Sequence, residues 1–184
     1  MLKTEREKEE KTVSNYDRIV HVYDALASVF EPYISKHCKE LLRSSKGIVL
    51  EVGFGTGNNF KDHPKGSYVV ASDASRGMLR QAKQKNRPRN ADVEILAENV
   101  QNLSFGNESF DVIFSSLVFC AVADPVKGLL EMRRVLKKNG VLLMLEHVRS
   151  QNSLFGYAMD MLNPLFSCFD NINRDTVANL RKAG

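Results

Sequence analysis

Ile48-Val49-Leu50-Glu51-Val52-Gly53-Phe54-Gly55-Thr56-Gly57 decides the fold. The apolar run at its start has the unbroken hydrophobicity of a strand buried in a parallel sheet. Three glycines follow at every second position. Glycine lets the chain turn sharply after a strand and lets a ligand approach the backbone closely. The stretch therefore predicts a nucleotide-like ligand at the carboxyl end of a buried strand.

The details narrow the ligand. A dinucleotide fingerprint, G-x-G-x-x-G, would need glycine where Asn58 stands. A triphosphate loop would need a lysine after its last glycine, and none follows Gly57. Glu51 would repel a phosphate and suits a ligand with a cationic group.

Glu51-x-Gly53-x-Gly55-x-Gly57 resembles motif I of the class I S-adenosylmethionine-dependent methyltransferases. That cofactor carries an ammonium, a sulfonium and a ribose, and no phosphate. The resemblance implies that Glu51, Gly53, Gly55, Thr56 and Gly57 belong to its binding site.

Size and composition agree with one globular enzyme domain. The chain has 184 residues, with 43% hydrophobic and 26% charged residues and a net charge of +4. No apolar run approaches the roughly 20 residues that span a bilayer. The polar start, Met1 to Lys11, does not read as a secretory signal, so a cytoplasmic location is expected. Cys38, Cys120 and Cys168 have no metal or redox spacing; they read as reduced thiols, and no metal is expected. The basic cluster from Lys83 to Arg89 reads as a solvated helix end, with an anionic membrane surface as the minor alternative and no nucleic-acid partner expected.

The order of elements predicts an α/β fold: a Rossmann-like, doubly wound, mostly parallel sheet. Apolar positions from Ile19 to Phe30 recur at helical spacing, and Pro32 opens a second helix. Strands are expected at 47–52, 68–73, 93–97, 110–116 and 141–145. Helices are expected at about 75–85 and from Asp124 to Leu136, the latter ended by Asn139-Gly140. A short helix should follow Gly57, because His63-Pro64-Lys65-Gly66 signals a turn. The expected division is a charged flexible arm (1–15) and a single domain (16–184). The domain comprises N-terminal helices (16–46), a cofactor-binding core (47–149) and a C-terminal helical segment (150–184).

Asp73 ends the second strand, twenty residues after Gly53. A carboxylate there can accept from both ribose hydroxyls. It could also cap the helix that follows. By resemblance, Ala74 and Met78 border the adenine. Glu98-Asn99-Val100 through Ser109-Phe110-Asp111 resembles the family pattern D-A-E-x-L-P-F-x-x-x-S-F-D. Counted back from Phe110-Asp111, Asn99 replaces the Asp that accepts from the adenine amine, and its amide oxygen can still accept. Val100 would present its N–H to the ring, and Glu98 is a neighbouring rival for the acceptor role. Ser115, Ser116 and Leu117, at the carboxyl end of the fourth strand, are candidates to touch the methionine part. Asp111, at the other end of that strand, reads as a structural acid.

His147, after the fifth strand, is either a base for the acceptor or a structural histidine. Tyr16-Asp17 and Tyr23-Asp24 resemble the Y-D-x-x-x-x-x-Y-D arm of quinone-biosynthesis and phospholipid methyltransferases. That arm closes over the cofactor, and Tyr16 is the expected lid residue.

Together these motifs resemble the type-11 methyltransferases over about residues 16–149. Within that family the chain resembles the quinone and phosphatidylethanolamine methyltransferases. Glu146-His147-Val148 and Asn163-Pro164-Leu165-Phe166 also give it the look of the methyltransferase-like thiol methyltransferases. The resemblance implies S-adenosylmethionine as cofactor, S-adenosylhomocysteine as product, and a small-molecule or lipid-like acceptor at N, O, S or C. A non-catalytic cofactor-binding module and, further off, an NAD-dependent reductase are the alternatives. Strands six and seven of the family have no counterpart before Gly184. An uncovered sheet edge, and with it a homodimer, is therefore expected, as is peripheral membrane contact.

Overall fold

The computed structural model describes residues 4–28, 30–85, 91–146 and 174–184. The strands are β1 (Ile48–Val52), β2 (Tyr68–Asp73), β3 (Asp92–Ala97), β4 (Phe110–Ser116) and β5 (Leu136–Leu145). The helices are α1 (Glu5–Ala27), α2 (Glu31–Leu42), α3 (Arg76–Gln84), α4 (Pro125–Val135) and α5 (Thr176–Ala183). The short helix expected after the glycines is a single 3-10 turn, Asn58–Lys61.

The strands form one sheet in the order β3-β2-β1-β4-β5, and every pairing is parallel. The order reverses between β1 and β4. Loops leave in opposite directions at such a point, so a crevice opens beyond the carboxyl ends of the strands. Alternate residues of β1 explain its unbroken apolar run. Val49 packs with Leu42, Phe60 and Leu79 on one face, and Leu50 and Val52 pack with Met132 and Val135 on the other.

Two local features depart from the expected outline. First, α1 is continuous from Glu5 to Ala27. Thr4 Oγ1 accepts from Glu7 N–H, and the Glu7 carboxylate accepts from Thr4 N–H, a reciprocal cap that starts the helix. The expected boundary between an arm (1–15) and a domain (16–184) therefore falls inside one helix.

Second, β5 starts directly after α4 rather than at Val141. The register jumps from Phe110↔Leu136 to Val112↔Val141, so residues 137–140 bulge out of the ladder. The Asn139-Gly140 signal marks that bulge, not a turn before the strand. At Gly140 a Cβ would lie 2.9 Å from the Asp111 carbonyl oxygen, so only glycine fits without displacement. Asp111 is the structural acid expected. Its carboxylate accepts from Ile48 N–H (2.9 Å) and Lys137 Nζ (2.7 Å), joining β1, β4 and β5 at their amino ends.

In line with the five strands expected, β5 is an edge strand among the described residues. Of the C-terminal segment, α5 is described; it is capped by Asp175 and packs on α4. Cys38 and Cys120 are buried, and burial pushes the Cys38 thiol up to about 11.

Candidate functional site

A cleft enclosing about 870 Å³, solvent at its mouth included, opens at the carboxyl ends of β1 to β4. Its floor is the glycine loop. All three glycines have left-handed backbones, with φ of +64° at Gly53, +58° at Gly55 and +81° at Gly57. Glycine adopts that region without the steric cost other residues meet. Their roles differ. A Cβ on Gly53 would lie 2.2 Å from Val118, and one on Gly57 would lie 2.5 Å from Phe60. A Cβ on Gly55 would meet nothing within 4 Å, because Gly55 faces the cleft.

Asp73 stands at the end of β2 and lines the cleft. Its carboxylate accepts from Gly55 N–H (2.9 Å) and Ser75 N–H (2.7 Å). Burial pushes this carboxyl above its ordinary range, against the pull of those two bonds. Ser75 caps α3 through its hydroxyl, so Asp73 itself is not the capping residue.

Beyond β3, Asn99 and Val100 also line the cleft. The Asn99 side-chain oxygen accepts from Gln101 N–H (2.9 Å), and its Nδ2 donates to Glu9 of α1. Gln101 Nε2 donates to the other Glu9 oxygen (2.8 Å). Ala74 and Met78 border the same end.

Helix α1 lies across this cleft. Tyr16-Asp17 and Tyr23-Asp24 are two helical turns apart, so like residues share a face. Both tyrosines line the cleft, with ring centroids 6.2 Å apart. The aspartates tie the helix down. Asp17 accepts from Ser75 Oγ (2.6 Å) and Gly77 N–H (2.9 Å). Asp24 accepts from Thr56 Oγ1 (2.5 Å), Gln81 Nε2 (2.8 Å) and Lys85 Nζ (3.0 Å). Burial works to raise the Asp24 carboxyl, but these bonds outweigh it and hold it below the usual range. Thus Tyr16 and Tyr23 both stand on the helix that crosses the cleft.

Several expected ligand residues stand elsewhere. Glu51 does not line the cleft. Side chains alternate along a strand, and Glu51 points to the α2 face with Val49. There it is 1% exposed and bonded to Asn59 Nδ2 (2.8 Å) and His63 Nε2 (2.5 Å). Its carboxylate is thus committed to the underside of the glycine loop. Thr56 is committed to Asp24, and the Gly57 backbone forms the loop's closing turn. Ser115 is fully buried and donates to Glu146 Oε1 (2.7 Å); its neighbours Ser116 and Leu117 line the cleft instead. His147 lies outside the described residues.

Other residues enter the cleft without having been expected. Glu9, Thr12 and Val13 come from α1, and Val118 and Ala121 to Ala123 follow β4. The Thr4-x-x-Glu7 cap and the helical pattern through Val13 could have shown α1 reaching this far. No local signal marks the segment after β4.

The electrostatics of the lining are one-sided. Among the described residues it contains three carboxylates, Glu9, Asp73 and Glu98, and neither Lys nor Arg. Such a cleft repels phosphate and favours a ligand with positive charge and hydroxyl donors.

Comparison with known proteins gives the same picture. A family model described as "Methyltransferase domain" matches residues 50–144, just over half of the chain. Human thiol S-methyltransferase TMT1B is 36% identical over 108 residues, covering 57% of this chain and 44% of its own. Human thiol S-methyltransferase TMT1A is 33% identical over 149 residues (76% and 60%). Demethylmenaquinone methyltransferase of Renibacterium salmoninarum is 31% identical over 143 residues (74% and 59%). The chain spans less than two thirds of each of these relatives. Among solved structures, a Thermotoga maritima protein described as an S-adenosylmethionine-dependent methyltransferase superposes with a TM-score of 0.69 at 24% identity. That match covers 92% of this chain and 79% of the other. On the matched motif region, the shared fold and the cleft that region builds, the chain belongs to the methyltransferase-domain family of the class I S-adenosylmethionine-dependent methyltransferases.

Proposed function

We propose that the chain binds S-adenosylmethionine in this cleft and transfers its methyl group to a small-molecule or lipid-like acceptor. The lining charge carries the reading: three carboxylates and no basic side chain among the described residues. The chain's features fit such a donor. Gly55 leaves room for close backbone approach, Asp73 ends β2 where a ribose would be held, and Asn99, Val100 and Met78 form the purine end. The sulfonium supplies a methyl already activated for transfer. What remains for the chain is to hold the donor, exclude water and admit the acceptor in line. Tyr16 and α1 would provide the cover.

A thiol is the acceptor class we favour, because the thiol S-methyltransferases match at 36% and 33% identity, against 31% for the demethylmenaquinone methyltransferase. His147 is our proposed base for acceptors that must lose a proton. A cytoplasmic location and a homodimer through the β5 edge belong to the same proposal, for cell fractionation and sedimentation to check. Calorimetry with S-adenosylmethionine is the direct test. Micromolar binding is the expected result, and no binding at millimolar cofactor would sink the reading. Parallel titration with NADH should show no heat.

A further inference from the structure

The segment 117–123 forms the wall of the cleft beyond β4. Its lining residues, Leu117, Val118, Ala121, Val122 and Ala123, are all apolar, unlike the carboxylate-rich opposite side. Sheet order places this wall on the far side of β1 from Asp73 and Asn99. The wall's backbone has one turn bond of its own, Ala121 N–H to the Val118 carbonyl (2.9 Å), and Leu117 N–H ties its start to the Leu145 carbonyl (2.8 Å). Leu117 has φ of +56°, a left-handed conformation that is costly for a branched side chain. Such strain persists only where surrounding bonds impose it.

Two charged side chains, distant in sequence, impose it from both sides. Glu146 follows β5, and its carboxylate accepts from Val118 N–H (3.1 Å), Phe119 N–H (3.1 Å) and Ser115 Oγ (2.7 Å). Arg174 precedes α5, and its Nη1 donates to the carbonyls of Phe119 (2.6 Å) and Val122 (2.5 Å). Glu146 thus holds two N–H donors of the segment, and Arg174 holds two of its carbonyls. Bonds to charged groups are the stronger class, which suits holding a strained turn. Val118, so held, sits directly over Gly53.

We propose that Glu146 and Arg174 are positioning residues that clamp the 117–123 wall and thereby govern acceptor use rather than cofactor binding. The proposal rests on the methyl-transfer reading above. Neither residue lines the cleft, so each acts through the segment it holds.

The test uses the full chain with Glu146→Gln, Arg174→Met and Arg174→Lys, each first shown to melt cooperatively. Three quantities are read: amide hydrogen exchange over 118–123, affinity for S-adenosylhomocysteine, and kcat and KM with 2-mercaptoethanol as acceptor. In Glu146→Gln, the Val118 and Phe119 amides should exchange at least tenfold faster. Cofactor-product affinity should stay within twofold, and kcat/KM should fall at least tenfold, chiefly through KM. Arg174→Met should behave likewise, and Arg174→Lys should recover most of the loss. Unchanged exchange, or S-adenosylhomocysteine affinity falling in step with turnover, would overturn the clamp. Wild-type protein that binds no S-adenosylhomocysteine would instead overturn the methyl-transfer reading and the acceptor role with it, while faster exchange in the variants would still mark the clamp.

Discussion

Beneath the α1 roof, the floor of the cleft and its wall beyond β4 are shaped by different means. At β1 and β2 the backbone does the shaping: left-handed glycines turn the chain, and Asp73 takes N–H groups from residues 2 and 18 positions away. At β4 and β5 long-range side chains do it: Glu146 reaches back 31 residues to Ser115, and Arg174 reaches back 55 to Phe119. A side made from local backbone geometry accepts few substitutions and holds one ligand. A side held by distant charged groups can be reshaped by changing its holders. That is the division expected of an enzyme with a constant donor and a variable acceptor.

The largest effect expected from breaking the backbone side is at Gly53. In Gly53→Ala the left-handed backbone and the overlap with Val118 together should cost about 3 kcal/mol. A melting temperature lowered by less than a few degrees would contradict the tight fit. Asp73→Ala comes next. If Asp73 accepts from the ribose hydroxyls as proposed, its loss should weaken S-adenosylhomocysteine binding by about 2 kcal/mol, read by calorimetry. Gly55→Ala separates space from strain. With nothing within 4 Å, only the left-handed backbone penalty of about 1 kcal/mol should appear in stability. The new methyl should still obstruct the ligand, so affinity should fall more than stability does.

The smallest effect is a pH dependence at the roof. The folded protein holds Asp24 below its ordinary range. Its contribution is therefore present above the unfolded carboxyl value and lost as pH falls through the folded one. Asp24 is part-exposed and paired with Lys85, so the term should be about 0.5 to 1 kcal/mol. Asp24→Asn should narrow the gap in melting temperature between pH 7 and pH 4; an unchanged gap would mean the pair contributes nothing.

The same contrast governs what could be read from the sequence. Asp73 was legible from its distance after the glycines, and Met78 and Asn99 through the family resemblance; all three line the cleft with Gly53 and Gly55. The strands were legible because burial on both faces leaves an unbroken apolar run. Glu51 misled in a specific way. Its motif position is that of a ligand residue, but strand alternation and His63 draw its side chain beneath the loop. The Asn139-Gly140 pair misled similarly, since the same chemistry serves a turn or a bulge. Glu146 and Arg174 were illegible as partners, because nothing local to either residue records the segment they share.

Helix α1 has a consequence for timing. Its carboxylates grip the floor loop through Thr56, the neck of α3 through Ser75 and Gly77, and the segment after β3 through Asn99 and Gln101. Whatever lies beneath this roof can leave only as fast as those grips let go. On the methyl-transfer reading proposed above, the dwell time of spent cofactor would then depend on a helix that takes no part in the chemistry.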